Sequence, residues 1–565
     1  MELKQKIAAC IAKQLSSLSE AEIEKMLEVP KNKEMGDYAF PCFRLAKELK
    51  KAPNLIAAEL AENLNDELFE SVVATGGYVN CKLKSSAFAR ELFSLLAEKG
   101  EAYGDSDLGK GETVIVEFSS ANIAKPFHIG HLRSTMIGNS LNRIYRAMGY
   151  KTVAINHLGD YGTQFGKLIS AFKRWGDREK IEQDPIEQFL QLYVKFHEEA
   201  ERDESLNDEA RAYFKALEDG DEEAYKLWSW IRELSLQEFM KVYKELDVSF
   251  DSYKGEAFFS DKMDEVLQIL RDKQIVKNDG GAEIVDLSAY NMPNALITKS
   301  DGSTLYITRD LAAAIYRIRE YQFKKNIYVV AYQQDLHFKQ WFKILDLMGF
   351  AEAKDCEHVN FGMISLEEGT LSTRKGRVVT LESVLQKAYE MALKIIDEKN
   401  PELENKDEIA KMVGYGAIVF QDLFNQRVKD YTFSWEKALS FEGESAPYVQ
   451  YAHARCNTLI EKSGIDPNFE EIDLTLLEDE ASQDLIKCLL DFARTVQSTM
   501  EANEPSRITR YSVELATAFN KFYQANKINV DDAELKKARV ALTKATRQVL
   551  KKALYLIGIK APDRM

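Results

Sequence analysis

Long apolar runs are missing from this chain. None approaches the roughly 20 residues that cross a bilayer as a helix, and the opening Met1-Glu-Leu-Lys-Gln-Lys-Ile7 carries no signal-peptide apolar region. No membrane helix or secretory leader is expected, and the expected setting is the cytoplasm. Cysteine is sparse: Cys10, Cys42, Cys81, Cys356, Cys456 and Cys488 are scattered, with no Cys-x-x-Cys pair. That spacing argues against a structural zinc site and a disulfide framework, suits a reducing compartment, and leaves each cysteine as a core thiol. A surplus of positive charge is also lacking: Lys and Arg number 75 against 91 Asp and Glu, a net charge of −16. This does not exclude a polyanionic partner, because binding depends on local charge. The charge is segregated, with His197–Glu204 strongly acidic and the C-terminal stretch strongly basic. Internal repeats and low-complexity tracts are not found.

What is present is 565 residues, 45% of them hydrophobic, enough for about three or four globular domains. Residues 1–108 read as a mixed α/β unit. It opens with an amphipathic helix bearing Leu3, Ile7, Ile11 and Leu15 on one face, and holds a strand at Tyr78–Leu83 after Gly76-Gly77. From 109 to 383 strand and helix patterns alternate, as in a doubly wound parallel sheet. Strands are expected at Val114–Phe118, Lys151–Asn156 and Asn326–Tyr332, with a strand-like run at His358–Ile364. A charged helical stretch at about 172–256 interrupts the alternation and reads as an insertion. From 384 onward the chain is predominantly helical. Leu535, Ala538, Leu542, Ala545, Val549 and Leu556 hold helical spacing, while Lys537, Lys544 and Lys551 recur on another face. That face is either a solvated surface or one that meets phosphates.

The chemistry concentrates at Glu117-Phe-Ser-Ser-Ala-Asn-Ile-Ala-Lys-Pro-Phe-His-Ile-Gly-His131. An apolar strand leads through a polar loop into an amphipathic helix whose Ile137, Leu141, Ile144 and Met148 share a face. A helix N-terminus offers free N–H groups and partial positive charge to a phosphate. His128 and His131, with Gly130 between them, can add donors to an oxyanion as charge develops. The alternative is a pair of satisfied histidines at a helix cap. Lys125 adds a cation three residues upstream.

This segment resembles the HIGH signature of class I aminoacyl-tRNA synthetases and, in its longer form with Ser120, Asn122 and Lys125, the arginyl-tRNA synthetase family. The departures are small: Ala121 stands where proline is usual and Leu371 where methionine is common. Asp301-Gly-Ser-Thr-Leu-Tyr306-Ile-Thr-Arg-Asp310 resembles the family's arginine-recognising motif. A carboxylate can grip a planar guanidinium bidentately, although Asp310 could equally be a carboxylate favoured near a helix start. Leu371-Ser-Thr-Arg-Lys-Gly376 resembles the KMSKS loop, with Lys375 as the lysine that stabilises leaving pyrophosphate. The N-terminal Gly36-Asp-Tyr-Ala39 and the ending Leu556–Met565 extend the resemblance over nearly the whole chain.

The resemblance implies a Rossmann-like catalytic domain between an N-terminal tRNA-contacting domain and an all-α anticodon-binding bundle at 444–565, joined by connecting helices at 384–443. It implies ATP bound by Lys125, His128, Gly130, His131 and Lys375. It implies arginine bound by Glu117, Ser120, Asn122, His131, Tyr306, Asp310 and Gln334. Mg²⁺ is expected to accompany ATP without a protein-built metal site. The expected partners are tRNA(Arg), L-arginine and ATP, with Tyr448, Tyr451, Lys544, Arg547 and Lys551 as candidate RNA contacts and a monomer as the oligomeric state. His157 and Asp160, in the glycine-rich segment Asn156–Gly166, receive no role.

Overall fold

The computed structural model describes residues 3–15, 17–30, 32–366 and 379–565. It divides into two compact units. One comprises Met1–Tyr103, Ala452–Ala493 and Glu514–Leu550; the other comprises Gly104–Tyr451, Arg494–Val513 and Lys551–Met565.

In the first unit the expected strand Tyr78–Leu83 lies at the centre of an antiparallel sheet, between Tyr38–Pro41 and Phe69–Thr75. Gly76 makes the preceding turn at φ +63°, a left-handed conformation that glycine adopts without steric cost. The opening helix spans Leu3–Ala12 and buries Leu3, Ile7 and Ile11. The cysteines form no disulfide among the described residues. Burial pushes the Cys42 thiol up to about 11 and the Cys81 thiol up to about 12, so neither is a thiolate at neutral pH.

The second unit is organised by a four-stranded parallel sheet. Across it the strands run Cys356–His358, Lys325–Tyr328, Thr113–Glu117, Lys151–Ile155. Strand order therefore reverses beside Thr113–Glu117, and in such sheets ligands bind beyond the carboxyl ends at that point. On one face Ile115, Val153 and Ile155 join Leu311 and Ile315 of the helix Tyr306–Tyr321 and Trp341, Ile344 and Leu345 of the helix Asp335–Leu347 in one buried core. The helix Gly130–Ala147 packs against Thr113–Glu117 and Lys151–Ile155 and is buried over most of its length. Gly138 makes the closest approach, because a Cβ there would lie 2.1 Å from Phe118.

Two expected strands are shorter than their apolar patterns suggest. Asn326–Tyr332 is regular only to Tyr328. Beyond it the backbone groups are satisfied singly, Val329 N–H by Glu117, Val330 carbonyl by His358 and Tyr332 N–H by Phe361. His358–Ile364 breaks into Cys356–His358 and Ile364–Leu366, because arginine side chains take the carbonyls of Asn360 and Gly362 between them. The stretch expected as an inserted helical segment forms the helices Arg178–Gln183, Pro185–Ala200, Ser205–Glu218 and Glu222–Glu245. An antiparallel meander, Val276–Asp279, Ala282–Val285 and Ala295–Thr298, precedes the helix Tyr306–Tyr321. Long helices dominate after residue 380, from Leu381–Lys399 to Ala533–Leu556.

Candidate active site

The loop from Phe118 to Ile129 carries unusual backbone. Ser119, Ser120 and Ala124 adopt φ of +70°, +47° and +59°, a region costly for residues with a Cβ and one that persists only where surroundings enforce it. The enforcing bonds are buried. Ser119 N–H donates to Ser134 Oγ (2.9 Å), and Ser134 Oγ donates to the Val329 carbonyl (2.7 Å). The Ser119 hydroxyl meets those of Thr135 (2.9 Å) and Tyr243 (2.8 Å). Asn156 donates to Tyr243 at 2.9 Å, and Ala124 N–H donates to Ser235 at 3.2 Å. The loop also pairs with the glycine-rich segment, since Gly159 N–H donates to the Ala121 carbonyl and Ile123 N–H to the Gly159 carbonyl. A Cβ at Gly159 would lie 2.2 Å from Asn122 Oδ1, so the glycine lets the Asn122 amide lie against backbone. Among the described residues the Ser120 hydroxyl is buried without a hydrogen-bond partner.

Both histidines sit where this loop becomes helix. His128 N–H donates to His131 Nδ1, and Gly130 N–H donates to His128 Nδ1, each at 3.1 Å. The rings lie 3.9 Å apart, and Phe127 stacks on His131 at 4.9 Å. Burial lowers the affinity of both for protons and holds His131 down near 3. At neutral pH each is a neutral imidazole whose Nδ1 is an acceptor, so its proton resides on Nε2. The turn thus supplies two neutral Nε2–H donors at a helix start whose first N–H groups, those of Gly130, His131 and Leu132, are already bonded to His128 and Ile129, so the helix dipole favours an anion there without free N–H groups. Lys125 is exposed. Thr380 bridges to His128, and Leu381 N–H donates to the Phe127 carbonyl at 2.8 Å. Lys375 and its neighbours Leu371–Gly376 lie outside the described residues.

A helix does run through Tyr306 and Asp310, with Tyr306 as its first residue. Tyr306 is 66% exposed. Asp310 Oδ2 lies 2.5 Å from His337 Nε2. Beside it is a carboxylate that sequence reasoning missed. Glu256 is largely buried and accepts from Arg309 Nη1 at 3.1 Å. Burial is the main cause that pushes its carboxyl up to about 7; Arg309 opposes the rise, and Asp310 and Asp160 reinforce it. Glu256 belongs to no motif and lies 54 positions from Asp310 in the chain, so only the fold could reveal it. Asp160 is structural: it accepts from Arg232 Nε at 2.7 Å and from Ala257 N–H at 2.9 Å. His157 stacks on Phe259. Gln334 is exposed in the short turn before His337.

Glu117, expected among the arginine contacts, has a partner within the chain. Its buried carboxylate lies 2.5 Å from Nη1 of Arg317, whose side chain is 2% exposed. A guanidinium so far from water requires a counter-ion, and Glu117 provides it. Among the candidate RNA contacts, Tyr451 and Lys551 are exposed and Tyr448 is half-buried. Lys544 is paired with Asp466 at 2.5 Å, and Arg547 donates to Asn457 at 3.3 Å. Those two cations are engaged within the chain.

The comparisons with known proteins point to one family. A family model described as tRNA synthetases class I (R), catalytic domain matches residues 91–435. Models of the arginyl tRNA synthetase N terminal domain and the DALR anticodon binding domain match 1–83 and 449–565. The class defined by the fold and the histidine turn is thus the class I tRNA synthetases. Arginine–tRNA ligases of Clostridioides difficile and Halothermothrix orenii are 55% and 53% identical over the full length of both chains. The solved arginyl-tRNA synthetase of Thermus thermophilus superposes with a TM-score of 0.80 at 27% identity, covering all of each chain. The chain belongs to the arginyl-tRNA synthetase family.

Proposed function

We propose that this protein joins L-arginine to tRNA(Arg). The arginine carboxylate attacks the α-phosphate of ATP to give arginyl-adenylate and pyrophosphate; the terminal ribose of the tRNA then takes the arginyl group and AMP leaves. The observation that supports this reading most is the pair of half-buried neutral histidines, each with Nδ1 occupied by a backbone N–H. Their Nε2–H groups are suited to phosphoryl oxygens that gain charge in the in-line transition state. Lys125 adds a cation, and Gly130 is proposed with it among the ATP contacts. Lys375 is proposed, by resemblance, for the leaving pyrophosphate.

Asp310 and Glu256 are the carboxylates proposed for the substrate guanidinium, with Tyr306 lining that end. Ser120, Asn122, His131 and Gln334 are proposed for the α-amino and carboxylate end; the unpartnered Ser120 hydroxyl favours this. Glu117 stays a candidate at that end, with Arg317 beside its carboxylate. Mg²⁺ is proposed to arrive with ATP, held by phosphate oxygens. The groups at the histidine turn are N–H donors and a lysine, which suit an anion, so no protein ligand for the metal is assigned.

The domain plan is proposed as 1–108 for tRNA contact, 109–383 for catalysis, 384–443 as connection and 444–565 for the anticodon. Tyr448, Tyr451 and Lys551 remain the candidates for RNA contact; Lys544 and Arg547 would first have to leave their partners. The protein is proposed to act as a cytoplasmic monomer. Exchange of labelled pyrophosphate into ATP tests the reading. Exchange should require arginine, and comparison with and without tRNA(Arg) shows whether activation needs the tRNA. Exchange supported by another amino acid and not by arginine would overturn it.

A further inference from the structure

Three carboxylates converge where the helix Tyr306–Tyr321 meets the loop after the strand Lys151–Ile155. Each has its own cationic or hydrogen-bonding partner: Asp160 has Arg232, Asp310 has His337, and Glu256 has Arg309. In the last pair both side chains are enclosed, Arg309 and Glu256 being only 13% and 17% exposed. The Arg309 guanidinium lies 5.3 Å from the ring centroids of both Tyr161 and Tyr306. Ring contacts restrict a planar cation, and its fork then fixes the carboxylate it meets. Glu256 itself follows Gly255, where a Cβ would come within 2.4 Å of the Leu158 carbonyl and 2.6 Å of Asp160 Oδ1. Backbone and guanidinium together leave the Glu256 carboxylate little freedom.

We propose that Arg309 is a positioning residue for arginine selection: by holding Oε2 of Glu256 it favours the ionised carboxylate and orients it, with Oε1 left for the substrate guanidinium. The inference rests on the reading of Glu256 and Asp310 as the guanidinium-binding pair. Its physical basis is the cluster itself. A carboxylate that is buried and faces two others tends to take up a proton, and a protonated carboxyl loses half of its capacity to accept a bidentate fork. The groups facing Glu256 are Arg309 and Asp310 from the helix Tyr306–Tyr321, and Asp160 from the loop after Lys151–Ile155. Arg232 lies behind Asp160, and His337 lies behind Asp310. Among these, Arg309 is the cation in direct contact. Its removal raises the proton affinity of Glu256 further above the ordinary carboxylate range, so the variant must reach a higher pH before Glu256 ionises. Adjacency in sequence serves the same end, because one helical turn delivers both Asp310 and the residue that fixes Glu256.

The test is the KM for arginine in tRNA(Arg) charging, measured from about pH 6.5 to about pH 9 for the wild-type chain, Arg309→Gln and Arg309→Lys, with the KM for ATP alongside. Arg309→Gln should raise arginine KM at least about tenfold near pH 7, leave ATP KM within about twofold, and recover most of the loss near pH 9. Arg309→Lys, which keeps the charge and loses the fork, should fall between. A penalty independent of pH, or an equal rise in ATP KM, would overturn the proposal, because a merely structural arginine gives that result. Glu256→Gln separates the two failures. If it leaves arginine KM unchanged, the reading of the site fails and the inference with it. If it raises arginine KM while Arg309→Gln does not, the inference alone fails.

Discussion

At the scale of single residues, His128 and His131 matter through one atom each. A histidine at a helix start could be a cation, a base or a donor. Burial and the two bonds to Nδ1 select the neutral donor. Asp310 is proposed as the residue that separates arginine from lysine, because a carboxylate reads the guanidinium fork. Asp310→Ala should lower kcat/KM for arginine by about thirtyfold to a hundredfold, the worth of about 2 to 3 kcal/mol of charge-assisted hydrogen bonding. ATP KM should barely change; steady-state charging with each substrate varied in turn checks this, and equal losses for both substrates would remove Asp310 from the guanidinium. The histidines, Tyr306 and Asp310 were legible in the sequence because they sit in contiguous motifs. Glu256 was not, because a lone carboxylate after a glycine has no pattern, and its partner Arg309 lies in a different element. The partner of Glu117 was hidden for a related reason: strand position put it near the substrate loop, but the buried Arg317 that engages it is 200 positions away.

At the scale of elements, the loop after Thr113–Glu117 is held in left-handed backbone by hydroxyls from the helix Gly130–Ala147 and from Tyr243 and Ser235. The helix itself must lie very close to Phe118, and Gly138 permits it. Elsewhere in a helix, Gly→Ala gains about 0.5 to 1 kcal/mol. Here the added methyl meets an aromatic side chain at 2.1 Å in a packed core, and overpacking costs about 1 to 3 kcal/mol. Gly138→Ala is therefore expected to destabilise the protein, seen as a lower midpoint in denaturant at unchanged slope. A midpoint equal to or above wild type would show that the strand–helix spacing is not set at this residue. The periodicity of the helix was readable in advance. Its closeness to Phe118 was not, because interaxial distance depends on which residue of the partner faces the glycine.

At the scale of the whole molecule, a net charge of −16 coexists with a proposed polyanionic partner. Local cations must then carry that binding, and counter-ion release makes it sensitive to salt. Raising monovalent salt from about 50 to about 200 mM should raise the KM for tRNA by about tenfold or more, well beyond any change for arginine. A tRNA KM independent of salt would speak against phosphate contacts as the source of affinity. The sequence by itself determined the parallel-sheet architecture of the second unit, the histidine turn, the helical C-terminal third and the family, because these reside in local periodicity and contiguous motifs. The tertiary structure alone decided which carboxylates stand together, which are already paired, and where the strand patterns stop being regular strands. Pairing and burial depend on groups far apart in the chain, and a charged side chain's role follows from the partner that reaches it and from the water it loses.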